Sequence, residues 1–112
     1  MGDMTAVVLG LVVLLAPEST EDLLHAYREA VAARDWEAAA GAARGLAGGD
    51  EGVAVLQADL KAATEDAHRR VLIAALVRAD FSGVESFRNA HGASEDPYVR
   101  VVVLEAWAER DE

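Results

Sequence analysis

Apolar side chains recur along most of the chain at the spacing of one face of an α-helix. The clearest case lies between Ser19 and Arg34, where Leu23, Tyr27 and Ala30 fall on one face. The same pattern predicts two sets of helices that alternate along the chain, six to seven in all. The outer set covers about 21–33, 52–63 and 83–91, and the inner set covers about 4–16, 36–47, 67–79 and 97–109.

The predicted inner helices are more apolar than the outer ones. Residues 71–77 are apolar nearly all round, which is typical of a helix packed on both sides. Residues 99–104 conflict locally with this prediction, because their β-branched side chains favour a strand when taken alone. The matching segment of the preceding unit is a better helix former, so we expect a helix at both places.

Two stretches of the chain repeat one another at an offset of thirty residues. Residues 64–80 read TEDAHRRVLIAALVRAD, and residues 94–111 read SEDPYVRVVVLEAWAERD. The offset aligns the acidic start of one stretch with that of the other, as in Asp66 with Asp96. A short unit that cannot bury its own apolar face is typical of a stacked protein. We therefore predict an all-α fold, an α-solenoid of stacked antiparallel helix pairs, with one domain over residues 1–112.

This repeat resembles HEAT repeats, in particular the short thirty-residue kind found in HEAT-like proteins related to phycobilisome lyases. An acidic turn, an Arg and a run of aliphatic residues carry the likeness, in the segments EDAHRRVLIAA and EDPYVRVVVLEA. The resemblance covers about residues 35–112. In the unit from Asp35 to Leu46, however, Ala40 stands at the position of the Arg. The resemblance implies a non-catalytic interaction or scaffold module, with a small lyase-related or chromophore-handling protein as the alternative.

The N-terminal run is apolar from Met4 to the residue before Pro17. Three interpretations are open: a buried helix in register with the repeat, a signal peptide and a membrane anchor. The run is shorter than the roughly 20 residues of a spanning helix. A signal peptide has a basic start, whereas Asp3 is the only charged side chain before this run, and Arg28 is the first base. We expect a cytoplasmic protein in which residues 1–17 include a folded helix, with an exported or membrane-anchored protein as the alternative.

Composition narrows the class of partner. Hydrophobic residues make up 53% of the chain and aromatic residues only 5%, so Ala, Val and Leu must supply most of the core. The net charge of −10 repels phosphate backbones, and the sequence contains no basic stripe, so nucleic acid is not expected as a partner. We expect another protein instead, for example one with a basic helix or tail. The absence of cysteine excludes disulfides and thiolate metal sites.

No motif in the sequence points to catalysis. The GxGxxG, P-loop and GxSxG motifs are missing. The three histidines, His25, His68 and His91, lack the spacing of metal ligands. The acidic clusters fall at predicted helix starts, where negative charge offsets the helix dipole. We therefore predict no enzyme, and no catalytic, cofactor-binding or metal-binding residue.

Two pairs of oppositely charged residues suit a structural ladder between repeats. Asp66 precedes Arg70 by four positions, which is the order that stabilises a helix. Asp96 and Arg100 repeat this arrangement thirty residues later. We expect these four residues to link neighbouring units rather than to bind a ligand.

Trp36 and Trp107 are the candidates for contact with a partner. Aromatic residues are rare in this chain, and Trp is over-represented at the centres of interfaces. The alternative is a core role, in which each Trp fills the space beside small neighbours. Trp107 also belongs to the last predicted inner helix, where it should form an open end of the stack together with Val101 and Leu104. We expect self-association through this end as one outcome.

Overall fold

The computed structural model describes residues 19–110, which form six α-helices and no strand. The all-α prediction is therefore confirmed for this range. The helices are α1 (Thr20–Ala33), α2 (Trp36–Leu46), α3 (Asp50–Ala62), α4 (Asp66–Leu76), α5 (Val84–Gly92) and α6 (Pro97–Arg110). Residues 99–104 lie within α6, so the local preference for a strand does not prevail. The helix predicted at 4–16, and the alternatives for residues 1–17, lie outside the described residues.

Three of the six helix starts in residues 19–110 follow local signals in the sequence. Ser19 caps α1, because its hydroxyl oxygen accepts the backbone N–H of Asp22 at 3.1 Å. Asp35 caps α2 in the same way and accepts the N–H of Ala38 at 3.2 Å. Pro97 occupies the first position of α6, where the missing N–H costs nothing. Residues within a few positions of the boundary thus specify these three helix starts.

The start of α5 differs from the prediction. Ser82 and Glu85 have the spacing of a capping box, but the N-cap of α5 is Gly83, and no side chain caps this helix. Gly83 has a φ of 90°, a left-handed conformation that glycine adopts without steric cost. The chain therefore enters α5 through a glycine turn rather than through a capping box.

The helices pack as three successive pairs. α1 packs against α2, α3 against α4, and α5 against α6. The even-numbered helices are joined as well, because α4 packs against both α2 and α6. Among the odd-numbered helices α1 packs against α3, whereas no comparable packing joins α3 to α5. The helix α4 is therefore the centre of the described fold.

Two apolar clusters form the core, and α4 contributes to both. The larger cluster lies among the first four helices, where Tyr27, Leu56, Leu72 and Leu76 are fully buried beside several alanines. The smaller cluster joins α4 to α6, and its buried members are Ile73, Val77, Val99, Val102, Val103 and Ala106. Burying one such side chain stabilises the fold by roughly 1.5–3 kcal/mol.

Gly52 and Arg88 hold contacts that the hydrophobic pattern does not reveal. A Cβ atom at Gly52 would overlap the carbonyl group of Leu46, so only glycine permits this close approach of α3 to the end of α2. The Arg88 side chain on α5 is buried, and its Nε donates to the carbonyl oxygen of Val77 at 2.6 Å. This bond fastens α5 to the chain segment that follows α4, because a buried guanidinium requires acceptors for its hydrogens.

Candidate functional site

The predicted ladder residues pair differently from the expected pattern. Arg70 Nε donates to Asp96 Oδ2 at 2.8 Å, which joins α4 to the residue before α6. Asp66 forms no ion pair within the described range, and Arg100 Nη1 donates to the carbonyl oxygen of Ser94 at 2.7 Å. The structure thus brings together Arg70 and Asp96, and the two in-helix pairs do not form. The contact between neighbouring helix pairs is made by one residue from each predicted pair.

Other ion pairs link the helix pairs at a constant separation. Three of those in residues 19–110 span 31 residues: Arg28 with Asp59 at 2.7 Å, Arg34 with Glu65 at 2.8 Å, and Arg78 with Glu109 at 3.3 Å. The hydrogen bond from Arg34 holds the pKa of Glu65 below its usual value. The bond from Arg70 does the same to the pKa of Asp96. Exposed pairs of this kind stabilise little individually, but the set fixes how successive pairs are aligned.

A polar cluster joins α1, α3 and α4. Tyr27 is fully buried, and its hydroxyl donates to Asp59 Oδ2 at 2.6 Å. The Tyr27 hydroxyl has only one hydrogen, so the His68 imidazole is the donor in the 2.7 Å contact between His68 Nε2 and the Tyr27 hydroxyl oxygen. Arg28 Nη1 donates to the same carboxylate oxygen of Asp59 at 2.7 Å. The Trp36 ring stacks on His68 with centroids 5.9 Å apart.

This cluster is suited to holding helices together rather than to proton transfer. Burial raises the pKa of the Tyr27 phenol far above its usual value, and the hydrogen bond to Asp59 raises it further. The phenol therefore stays protonated and offers no free base. Its oxygen already has a donor and an acceptor as partners, so a substrate has no direct access to it.

Both tryptophans lie against the core. Trp36 is half-buried and packs against the larger cluster, and Trp107 is half-buried and packs against the smaller one. The six-membered ring of Trp107 also faces Gly92 of α5. These positions fit the core role described above, and contact with a partner stays a prediction for both residues.

The exposed large hydrophobic side chains in the described range form a row on α6. Tyr98 and Val101 are each 51% exposed, and Leu104 is 59% exposed. The three residues are three positions apart, so they follow one side of the helix. The structure places Val101 and Leu104 at an open face, as predicted, whereas Trp107 turns toward α5. We call these three residues the α6 row.

A groove opens between α3 and α5, with α4 at its base. Its volume is about 470 Å³, and Leu60, Leu76 and Phe87 supply its apolar surface. The polar side chains that line it are Gln57, Lys61, Arg69 and His91. No carboxylate is among these lining residues, although the whole chain has a net charge of −10. The groove therefore differs in charge from the rest of the molecule.

Arg69 is held in place at the wall of this groove. Its Nη1 donates to the carbonyl oxygens of Leu60 at 3.2 Å and of Ala63 at 3.3 Å. These carbonyls belong to the end of α3, so Arg69 satisfies groups that lack partners within that helix. His91 lies nearby, and its pKa is lowered by burial and then by the charge of Arg69. The imidazole is therefore neutral at pH 7.

Several of these residues escaped the sequence analysis. The hydrophobic pattern of the sequence marks neither Asp59 nor Arg69. Asp59 does carry a signal, because it follows Arg28 by the same 31 residues that separate Arg34 from Glu65. The groove carries no such signal, since it arises where two helices fail to meet.

The described residues contain no group of three or more His, Cys, Asp or Glu side chains that could hold a metal ion. None of the described helices is both long and apolar enough to cross a membrane. The chain matches no known protein-family model, no curated protein and no solved structure.

Proposed function

We propose that this protein is a non-catalytic protein-interaction or scaffold module, built as a HEAT-like α-solenoid. Three observations support the stacked architecture: the helices pack in successive pairs, α4 contacts both other even-numbered helices, and ion pairs recur at 31 residues. The repeat in the sequence supports the HEAT-like assignment.

The α6 row carries the proposal that a partner binds. Tyr98, Val101 and Leu104 are at least half exposed. A bound partner would stabilise the complex by about 25 cal/mol for every Å² of their apolar surface that it removes from water. Contiguous apolar surface of this kind marks interaction sites more often than scattered hydrophobic residues do. The net charge of −10 accelerates association with a basic partner. A partner with an apolar face and basic flanks fits this surface.

Site-specific photocrosslinking tests this proposal. A benzoylphenylalanine residue replaces Leu104 of the α6 row in one variant and the exposed Ala58 of α3 in the matched control, both expressed in the source cells. We expect a discrete crosslinked product from position 104 only, and its loss when Val101 is also changed to Ser. A product containing two copies of this chain would identify self-association. Crosslinks from both positions alike, or from neither, would contradict the proposal.

The same proposal places the protein in the cytoplasm, with the N-terminal run as part of the fold. Its supporting observation is the length of the run, which from Met4 to Ala16 is shorter than the roughly 20 residues of a spanning helix. Sequencing the N-terminus of the mature protein from a soluble fraction tests this placement. We expect an intact Met1 or Gly2, and a terminus beyond Pro17 would establish export instead.

A further inference from the structure

We infer that the groove between α3 and α5 binds a small amphiphilic monoanion, meaning an apolar body that carries one carboxylate or sulfonate group. This inference is independent of the α6 row, because the groove and the row share no residue. The volume of about 470 Å³ falls within the range of small-molecule sites, roughly 300–1,000 Å³. The groove also combines apolar surface with a few convergent polar groups, as such sites do.

The apolar body of the ligand would lie against Leu60, Leu76 and Phe87. Leu76 is fully buried beneath the base, and Leu60 and Phe87 are partly exposed at the two sides. Phe87 is supported in turn by His91, with ring centroids 4.3 Å apart. A ligand chain in this position would remove the exposed parts of Leu60 and Phe87 from water, which favours binding.

The charges in the groove specify an anion. Lys61 and Arg69 are basic side chains, and no carboxylate lines the groove with them. The ends of α3 and α5 also lie here, and the negative end of each helix dipole contributes roughly half a negative charge. The balance is about one positive charge when His91 is neutral. A ligand with a single negative charge matches this balance, whereas a cationic amphiphile is repelled by it.

Contacts within the protein orient the Arg69 guanidinium for such a ligand. Only its Nη1 is used by the carbonyls of Leu60 and Ala63, and its Nε and Nη2 form no hydrogen bond within the described residues. The guanidinium is therefore oriented by backbone contacts and retains donors for an anion. The smaller adjacent cavity of about 300 Å³ also includes Arg69, but it contains the carboxylates of Asp66 and Asp96. The anion therefore belongs on the groove side of Arg69.

Lys61 provides a direct test, because it is the only lysine of the chain. Amine acetylation followed by mass spectrometry reports on this one side chain and on the N-terminus. The probes are decanoate and decyltrimethylammonium, which share an apolar chain and differ in charge, both used below their micelle concentrations. We expect decanoate to protect Lys61 with a saturable dose dependence, and decyltrimethylammonium to leave the labelling unchanged.

Variants then locate the bound probe by calorimetric titration with decanoate. Lys61→Gln should weaken binding by roughly 2–5-fold, the usual effect of one exposed charge. Arg44→Gln removes the same charge from an exposed site on α2 outside the groove, and it should have no effect. Gln57→Glu adds a carboxylate of nearly the same size to the groove, and it should weaken binding at least as much as Lys61→Gln.

The inference would be overturned by equal binding of both probes, by equal effects of Lys61→Gln and Arg44→Gln, or by an absence of saturable Lys61 protection. Thermal melts of each variant verify that a weakened affinity does not reflect unfolding. Binding only to an acidic amphipathic peptide, with no binding of decanoate, would also overturn it. Leu104→Ser should leave decanoate binding intact, so failure of this inference and failure of the proposed partner surface can be told apart.

Discussion

The junction between α1 and α3 is closed, whereas the junction between α3 and α5 is open. In the first junction α1 packs against α3, and Tyr27 fills the space above α4. In the second junction no comparable packing joins the helices, and a groove of about 470 Å³ remains. α5 is shorter than α1 and starts 34 residues after α3 rather than thirty, so the two junctions differ in backbone as well as in side chains.

One position contributes to this difference. α1 begins at Thr20 and α3 at Asp50, so a shift of thirty residues superposes Tyr27 on Gln57. Tyr27 is fully buried and bonded to two neighbouring helices, while Gln57 lines the open groove. A large side chain with one polar end, such as Tyr27, can fill the space between helices and also hydrogen-bond to their polar groups. The smaller amide side chain of Gln57 cannot do both. A repeat can thus keep its helices and change its surfaces through single residues.

The largest expected effect comes from emptying the closed junction. Tyr27→Ala should lower the free energy of unfolding by about 3–5 kcal/mol, because it removes a fully buried aromatic ring. Gln57→Ala, at the equivalent position of the open junction, should change it by no more than about 0.5 kcal/mol. Urea denaturation of both variants measures the difference. Similar losses in the two variants would show that the junctions are not energetically distinct.

A smaller effect should follow when only the hydroxyl of Tyr27 is removed. Tyr27→Phe leaves Asp59 and His68 without their shared partner, which should cost about 1–3 kcal/mol. Tyr98→Phe is the matched control, because Tyr98 is exposed on α6, and it should have almost no effect. Urea denaturation serves again. A neutral Tyr27→Phe would mean that packing alone closes the junction.

The ion pair between Arg70 and Asp96 should contribute less still, because both side chains are partly exposed. Arg70→Ala should lower the urea midpoint more than Arg100→Ala, since Arg100 donates only to a nearby backbone carbonyl. The gap between the two variants should shrink in about 1 M salt, where charges are screened. If Arg100→Ala proves the more damaging, Arg70 does not align α4 with α6.

The smallest effects should appear in the pH dependence of stability. They fall in two separate windows of pH, an upper one and a lower one. The folded-state pKa of His91 is lowered by burial and by Arg69, so the unfolded chain binds the proton more readily. Stability from this source is complete above a pH of about 6.5 and is lost as the pH falls through the folded-state value. The charged groups that line cavities with His91 from other parts of the fold are Lys61, Asp66, Arg69, Arg70 and Asp96.

Glu65 acts in the lower window, because Arg34 lowers its pKa in the folded protein. This contribution is present above a pH of about 4.3 and is lost as the pH falls further. Chemical denaturation across the pH range should show His91→Gln flattening only the upper window and Glu65→Gln only the lower one. Flattening of the same window by both variants would contradict the assignment of the upper window to His91 and of the lower window to Glu65.

The helices could be predicted because their causes are local. Ser19, Asp35 and Pro97 mark helix starts within a few residues, and the apolar spacing is visible in any window of the chain. Residues 99–104 show the limit of purely local evidence, since their β-branched side chains favour a strand and only the repeat favoured the helix that forms. The pairing of the helices also follows from the repeat, because each unit must bury its face on a neighbour.

The sequence by itself thus determined the helical content, the approximate helix boundaries and the exposure of Val101 and Leu104. Only the tertiary structure decided which partner each charged group takes. Arg70 could reach Asp66 within its helix or Asp96 across the junction, and the approach of α6 to α4 selects Asp96. Local patterns in the sequence could not predict the groove either. It depends on the distance between α3 and α5, and that distance results from how all the other helices pack.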